Sequence, residues 1–312
     1  MSQQQNSHRP DGLPRVAVVV PTYNQEAFLK EAIESAWNQT LKPDEVVVVD
    51  NASTDGTQAL CESLGDRIRY VRMAENRGAG AARNAGAAAT ECPIIVYLDG
   101  DDVLREDCLA ARVPILAADP EAGLVLGTMM IVSPDLSPLF EDPLWLKGRS
   151  EISFDEAVLH LSCPTGGLVV RKSKLDEIGG WDETLWNSQD SDLLIRMAAH
   201  AKCLIDPEPR SLYRQVPGSL SKNPMRVVRY FKQMLDKNRA VAPDPDRYDR
   251  IARKAWRIKA AHFVFGSIWD DDKGQKLSRM AAAICEMPEL IHSFRIWVVH
   301  AVASKFRRLF RR

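Results

Sequence analysis

No two of the six cysteines stand close enough to form a CxxC pair: Cys61, Cys92, Cys108, Cys163, Cys203 and Cys285 are scattered singly over 312 residues. This excludes a zinc ribbon and the dense disulfide framework of a small secreted domain, and it predicts reduced, mostly buried thiols in a cytoplasmic protein. The six histidines are equally scattered and offer no metal-ligand spacing. No apolar run approaches the roughly 20 residues of a membrane span, and the polar opening MSQQQNSHRPDGLPR lacks the apolar core of a secretory signal. An excess of one charge is missing too. The 41 lysines and arginines against 42 aspartates and glutamates leave a formal charge of −1, which gives no overall field for a nucleic acid. Internal repeats and low-complexity tracts are also lacking.

What is present is alternation. After a disordered start over residues 1–14, the β-branched run Arg15 to Val20 reads as a buried strand. Phe28, Leu29, Ala32, Ile33, Ala36 and Trp37 then recur at helical spacing, and Glu45 to Val49 restores a strand. The pattern continues with a helix near Asp55 to Leu64, a strand at Ile68 to Val71, a small-residue helix near Gly80 to Thr90 and a buried strand at Ile94 to Leu98. Further strands are expected at Gly123 to Val132 and Gly167 to Arg171, and a helix near Ser191 to His200. The fold class is therefore α/β, a mainly parallel sheet flanked by helices, with ligands expected beyond the carboxyl ends of the strands. After Asn223 the strand signals stop and basic helical patterns take over, so residues 15–222 read as the catalytic domain and 223–312 as a helical C-terminal extension.

Three strand ends carry polar residues that strand formation does not require: Pro21-Thr22-Tyr23-Asn24, Asp50-Asn51-Ala52-Ser53 and Asp99-Gly100-Asp101-Asp102. DGDD alone is compatible with a solvated turn. Following a buried strand, however, its carboxylates repel one another unless a cation joins them, and hard divalent ions take such oxygens together with phosphate. Asn76 to Gly86, NRGAGAARNAG, fails as a dinucleotide loop because Arg83 occupies the last glycine position. It is either a closely packed helix start or a means of placing the Arg83 guanidinium near a diphosphate.

The segments VVVPTYNQEAFLKEAIESAWNQT, VVVDNASTDGT, NRGAGAARNAG, YLDGDD and GGWDETLWNSQDSDLLIRMA together resemble glycosyltransferase family 2, in that family's order and approximate spacing, from about Val16 to Ser221. The resemblance implies a GT-A type, Rossmann-like fold and inverting transfer of a sugar from a nucleotide-sugar donor to a hydroxyl of a glycan or glycolipid acceptor, in cell-surface polysaccharide or glycolipid assembly. It places Pro21, Thr22, Tyr23 and Asp50 around the base and ribose, Arg83 near the donor, and Asp99 and Asp101 as the outer residues of a DxD motif. Asp101 becomes the direct ligand of a divalent metal, Mn2+ or Mg2+, and Asp190 the catalytic base. Two rival classes are a nucleotidyltransferase, whose Gly-rich signature with a following lysine is missing, and a binding protein that keeps the fold without turnover.

This sequence departs from the family pattern at Gln189, where relatives carry a glutamate, and at Val216, where many carry a histidine. Tyr213, Arg214 and Ser219 are expected on a mobile loop over the site. The acceptor side is expected along Cys163 to Gly167 and Trp181 to Trp186. Finally, Ile291 to Phe310 mixes Phe294, Ile296, Trp297 and Phe306 with Lys305, Arg307 and Arg308. Such a stretch either lies in an anionic membrane surface, giving peripheral association at the inner face of the cell membrane, or packs on the catalytic domain.

Overall fold

The computed structural model describes residues 12–142, 146–160, 165–216 and 224–261, with isolated further positions between 264 and 293. Residues 1–11, Cys163, Ser219 and the tail from residue 294 onward lie outside the described residues, with the expectations attached to them. By its internal contacts the chain divides into one unit of Met1–Ala157 with Ser162–Pro217, and a second of Val158–Leu161 with Gly218–Arg312.

The first unit begins with the expected alternation: β1 (Val16–Thr22), α1 (Glu26–Trp37), β2 (Glu45–Asp50), α2 (Thr57–Leu64), β3 (Arg69–Arg72), α3 (Gly78–Ala88) and β4 (Ile94–Tyr97). All seven residues of β1 are buried, as a central strand covered on both faces requires. Helix α3 owes its small residues to that sheet: a Cβ at Gly86 would come 2.3 Å from Val19 Cγ1 and 3.2 Å from Val49 Cγ2. No side chain fits there.

There follow β5 (Val103–Leu104), α4 (Cys108–Ala118), β6 (Ala122–Gly127), β7 (Met129–Val132), β8 (Pro138–Asp142), β9 (Glu151–Ile152), α5 (Phe154–Leu159), β10 (Leu168–Arg171), α6 (Lys172–Glu177), α7 (Gln189–Ala198), β11 (Lys202–Asp206) and β12 (Ser211–Arg214). The large sheet runs β3-β2-β1-β4-β10-β6-β11-β9. It is parallel except at β10 and β9, which pair antiparallel with their neighbours. Its core is valine, isoleucine and leucine from β1, β2 and β4 against Leu29 and Ile33 of α1 and Leu109 and Val113 of α4.

A smaller sheet, β5-β12-β7-β8, lies in the same unit. The single strand expected over Gly123 to Val132 is in fact two, β6 and β7, divided at the fully buried Thr128, where the chain leaves one sheet for the other. Parallel to it, β11 passes into β12 through residues 207–210. Tyr213 and Arg214 therefore lie in a strand, not on a mobile loop. The cause is Arg214 itself, whose buried guanidinium is held by four groups detailed below.

The second unit contains α8 (Pro224–Asn238) and α9 (Pro245–Ala260). Asp244 caps α9 by accepting from the Arg247 amide at 3.0 Å, with Pro245 entering the first turn. Val228, Phe231, Met234 and Leu235 of α8 and Tyr248, Ala255 and Trp256 of α9 are buried, and the Tyr248 hydroxyl donates to the Leu235 carbonyl at 2.6 Å. No helix among the described residues is long and apolar enough to cross a membrane.

Candidate active site

Backbone hydrogen bonds stitch the three polar strand ends together. At the end of β1 the Pro21 carbonyl accepts from the Gly100 amide at 3.2 Å and the Thr22 carbonyl from the Asn51 amide at 2.9 Å. Gly100 leaves room at this junction, since a Cβ would come 2.7 Å from Gln25 Oε1 and 2.9 Å from Thr22 Oγ1 and these side chains would have to shift. Tyr23 is 44% exposed beside it.

Asp50 faces inward. Its fully buried carboxylate accepts from the Ser53 amide at 2.7 Å and the Tyr70 hydroxyl at 2.8 Å, and pairs with Arg72. It thereby fixes the turn over Asn51 to Ser53, in which Ala52 adopts a left-handed φ of 61°. Asn51 in turn accepts from the Arg77 amide at 3.0 Å and so anchors the entry to α3.

Arg83, near the middle of α3, is the hub of the site. One terminal nitrogen donates to Asp99 Oδ1 at 2.6 Å, the other to Gln189 Oε1 at 3.1 Å, and the guanidinium lies 4.6 Å from the centre of the Trp181 ring. Its Nε is buried without a partner. Asp99 also accepts from Thr165 Oγ1 at 3.1 Å. Gln189, the first residue of α7, donates to the Leu185 carbonyl, so its neutral amide spans Arg83 and the chain before the helix. Asp190 follows directly, half-buried, accepting from the Ser191 amide at 2.9 Å. The entry to α7 is set by Ser188, at a left-handed φ of 61°.

The other two carboxylates of DGDD carry less compensation. Burial, with the charge of Asp99, pushes Asp101 up to about 6. Burial and the charges of Asp101 and Asp99 push Asp102 well above the carboxylate range, although its Oδ1 accepts from the Arg214 amide at 2.9 Å. Sequence reasoning assigned Arg214 to a loop and so missed its role here. Its Nε donates to the Asp101 carbonyl at 2.8 Å, its other nitrogens to the Pro134 carbonyl and to Glu31 Oε2 at 2.5 Å, and it stacks 4.7 Å from Phe28. No group of three His, Cys, Asp or Glu side chains among the described residues is arranged to hold a metal unaided. A cation here would need Asp101 plus oxygens from a ligand.

Asn84 clasps the segment before α7, accepting from the Trp181 amide at 2.8 Å and donating to the Trp181 carbonyl and Glu183 Oε1, both at 2.9 Å. Trp186 is 38% exposed, with the Cβ-less Gly78 beneath it. Pro21, Thr22, Tyr23, Asp50, Asp99 and Asp101 thus meet at one end of the sheet. Arg83 links Asp99 to Gln189, the residue preceding Asp190.

The model of glycosyl transferase family 2 matches residues 17–179, more than half of the chain. This chain belongs to glycosyl transferase family 2. Among family relatives, the succinoglycan biosynthesis protein ExoO of Rhizobium meliloti is 32% identical over 236 residues, 68% of this chain and 64% of that protein. The putative teichuronic acid biosynthesis glycosyltransferase TuaG of Bacillus subtilis is 31% identical over 148 residues, 46% of this chain and 57% of TuaG. The family 2 chain thus spans less than two thirds of the length of these relatives. In fold it is similar to S. aureus TarS 1-349, solved with UDP-GlcNAc, at a TM-score of 0.67, 19% identity and coverage of 86% of this chain and 79% of that one. It is also similar to the mannosyltransferase PcManGT of Pyrobaculum calidifontis, solved with GDP-Man and Mn2+, at a TM-score of 0.60, 22% identity and coverage of 92% and 87%. The family 2 fold, an α/β sheet flanked by helices as in GT-A structures, agrees with the expectation from sequence.

Proposed function

We propose that this chain is an inverting, metal-dependent glycosyltransferase that moves a sugar from a nucleotide-sugar donor to a hydroxyl of a glycan or glycolipid acceptor in cell-surface polysaccharide assembly. The observation that carries this reading is the Asp99–Arg83–Gln189 chain, which ties the DGDD strand end to the helix bearing Asp190. Pro21, Thr22 and Tyr23 would border the nucleotide over the turn that Asp50 holds. Arg83 would face the diphosphate, contributing its positive charge and the Nε that has no partner within the protein. Residues 165–167 and Trp181 to Trp186 would border the acceptor.

In the reaction, Asp190 accepts the proton of the acceptor hydroxyl while that oxygen attacks the anomeric carbon. The bond from that carbon to the diphosphate oxygen breaks on the opposite face, so configuration inverts and no covalent enzyme intermediate forms. Arg83 offsets charge on the departing diphosphate. A divalent cation, Mn2+ or Mg2+, would be held by Asp101 and would supply further stabilisation of that charge. Asp101 fits such a partner, since burial and Asp99 hold its carboxyl up at about 6. The solved UDP-GlcNAc and GDP-Man complexes support the donor class, and the names of ExoO and TuaG support the setting. A cytoplasmic place is proposed, with the basic stretch Ile291 to Phe310 as a peripheral membrane contact.

A panel of UDP- and GDP-sugars with Mn2+ or Mg2+ tests the reading in two steps. One donor should raise the melting temperature only with metal, and product from that donor should show the opposite anomeric configuration by NMR. Retained configuration would refute inversion. Release of pyrophosphate from a nucleoside triphosphate would replace the reading with nucleotidyl transfer.

A further inference from the structure

Net charge is divided unevenly between the two units. Residues 218–312 contain 21 lysines and arginines against 9 aspartates and glutamates, whereas residues 1–217 contain 20 against 33. The near-zero total thus conceals a formal charge of +12 on the second unit and −13 on the first.

Part of that positive charge surrounds a groove of about 330 Å³ between α8 and α9. Its floor is Leu235, Tyr248, Ala252 and Trp256, all at most 9% exposed. Trp256 is 7% exposed, yet its Nε1 has no hydrogen-bond partner. A buried indole N–H ordinarily finds an acceptor, so this donor on the groove floor marks a place for one. On the rim, Lys232 pairs with Asp236 at 2.9 Å and Arg239 with Asp249 at 2.9 Å, which uses both rim carboxylates. Arg253 and Arg257 line the same groove and have no carboxylate partner among the described residues. A neighbouring groove of about 460 Å³ shares Lys232 and Asp236 and adds Arg229 and Lys237.

We infer that the α8–α9 groove is a docking site for the anionic phospholipid surface of a membrane, with a headgroup phosphate at Arg253 and Arg257 and the adjoining glycerol and chain over Trp256. Guanidinium forks match phosphate oxygens, and tryptophan suits the boundary where one end is apolar and the other wet. The apolar floor and the two rim carboxylates distinguish this surface from a track for a nucleic-acid backbone, which would want continuous positive charge. The site is built from residues of α8 and α9 and does not depend on the sugar-transfer reading.

Sedimentation of the full chain with vesicles of phosphatidylglycerol and phosphatidylcholine, against phosphatidylcholine alone, tests this at about 0.1 M salt. Binding should require the anionic lipid. Arg253→Ala with Arg257→Ala should weaken it by roughly tenfold or more. Trp256→Phe, which keeps an aromatic ring and loses the N–H, should weaken it less. Asp236→Asn should strengthen it, and because it adds rather than removes net positive charge, it decides the matter even if the arginine variant misfolds. Four results would each overturn the site. These are unchanged partition of the arginine pair while Arg307, Arg308, Arg311 and Arg312 changed to serine abolish it; no gain with Asp236→Asn; protection of the groove by inorganic phosphate without vesicle binding; or preference for duplex DNA over vesicles.

Discussion

Asp190 and Asp192 lie two residues apart on the first turn of α7, in different surroundings. Asp192 is 1% exposed and paired with Arg196, which in turn donates to the Ile178 and Gly180 carbonyls at 2.9 and 2.7 Å. Asp190 is only half-buried. Asp190→Asn should therefore reduce turnover by about 10²–10⁴-fold while donor affinity, measured by calorimetry with metal, stays within a few-fold of the parent. Asp192→Asn should behave oppositely, losing on the order of 1–3 kcal/mol of stability in urea, from the weakened pair with Arg196, with turnover per folded molecule largely kept. Turnover retained by Asp190→Asn would remove the base. Asp101→Asn should abolish the metal-dependent rise in melting temperature. In chelator it should melt higher than the parent, since it relieves crowding with Asp99 and Asp102; a lower melting temperature would contradict that crowding. At this scale Asp190 rested on the family resemblance, whereas the polar strand ends at Pro21 to Asn24, Asp50 to Ser53 and Asp99 to Asp102 were legible because strand formation does not require such residues. Their partners were not. Arg214, which holds the DGDD backbone, is more than a hundred positions away, and a charged residue in a buried place leaves no signature in hydrophobic pattern. Arg112 is the same case: fully buried, it pairs with Asp206 at 3.1 Å and donates to the Gly167 carbonyl at 2.8 Å, and sequence reasoning passed over both.

Among the elements, the alternation from β1 to β4 was readable because β-branched runs and helical spacing coincide with the real elements to within about two residues, the usual ambiguity at element ends. The two-residue strands β5 and β9 and the four-residue β12 were not, being too short to show any period. The break at Thr128 was hidden for a different reason, since apolar residues flank it on both sides. The α3 segment is informative in both senses. It carries Arg83, and it is also packed so closely that Gly86→Ala must push into Val19. That change should cost about 1–3 kcal/mol in denaturant unfolding, and a cost near zero would mean that the helix can withdraw from the sheet without penalty.

At the scale of the whole molecule, four of the described cysteines are buried, and their thiols resist ionisation. Burial pushes Cys61 up to about 12 and Cys92 to about 11 from an ordinary 9.0. Unfolded thiols release protons above pH 9 while these keep theirs, so this part of the stability is complete below pH 9 and is lost as pH rises to 11–12. Melting temperature should fall over that window, and less steeply in Cys61→Ala once its own packing loss is subtracted. Native alkylation at pH 8 should spare both thiols. Residues 15–222 are proposed as an independent domain; a chain ending there should melt in one cooperative step and retain the donor-induced shift. Inside that domain, two strands cross side by side from the large sheet into the small one, β6 to β7 and β11 to β12, with Thr128 Oγ1 donating to the Pro207 carbonyl at 2.8 Å between the crossings. A single crossing would act as a pivot, whereas two in parallel resist rotation, so the small sheet cannot swing on its own. Because Arg214 hangs from that sheet and grips the DGDD backbone, the amide protons of Gly100 and Asp102 should exchange with deuterium only when the entire domain opens, at the rate of the slowest protons in β1.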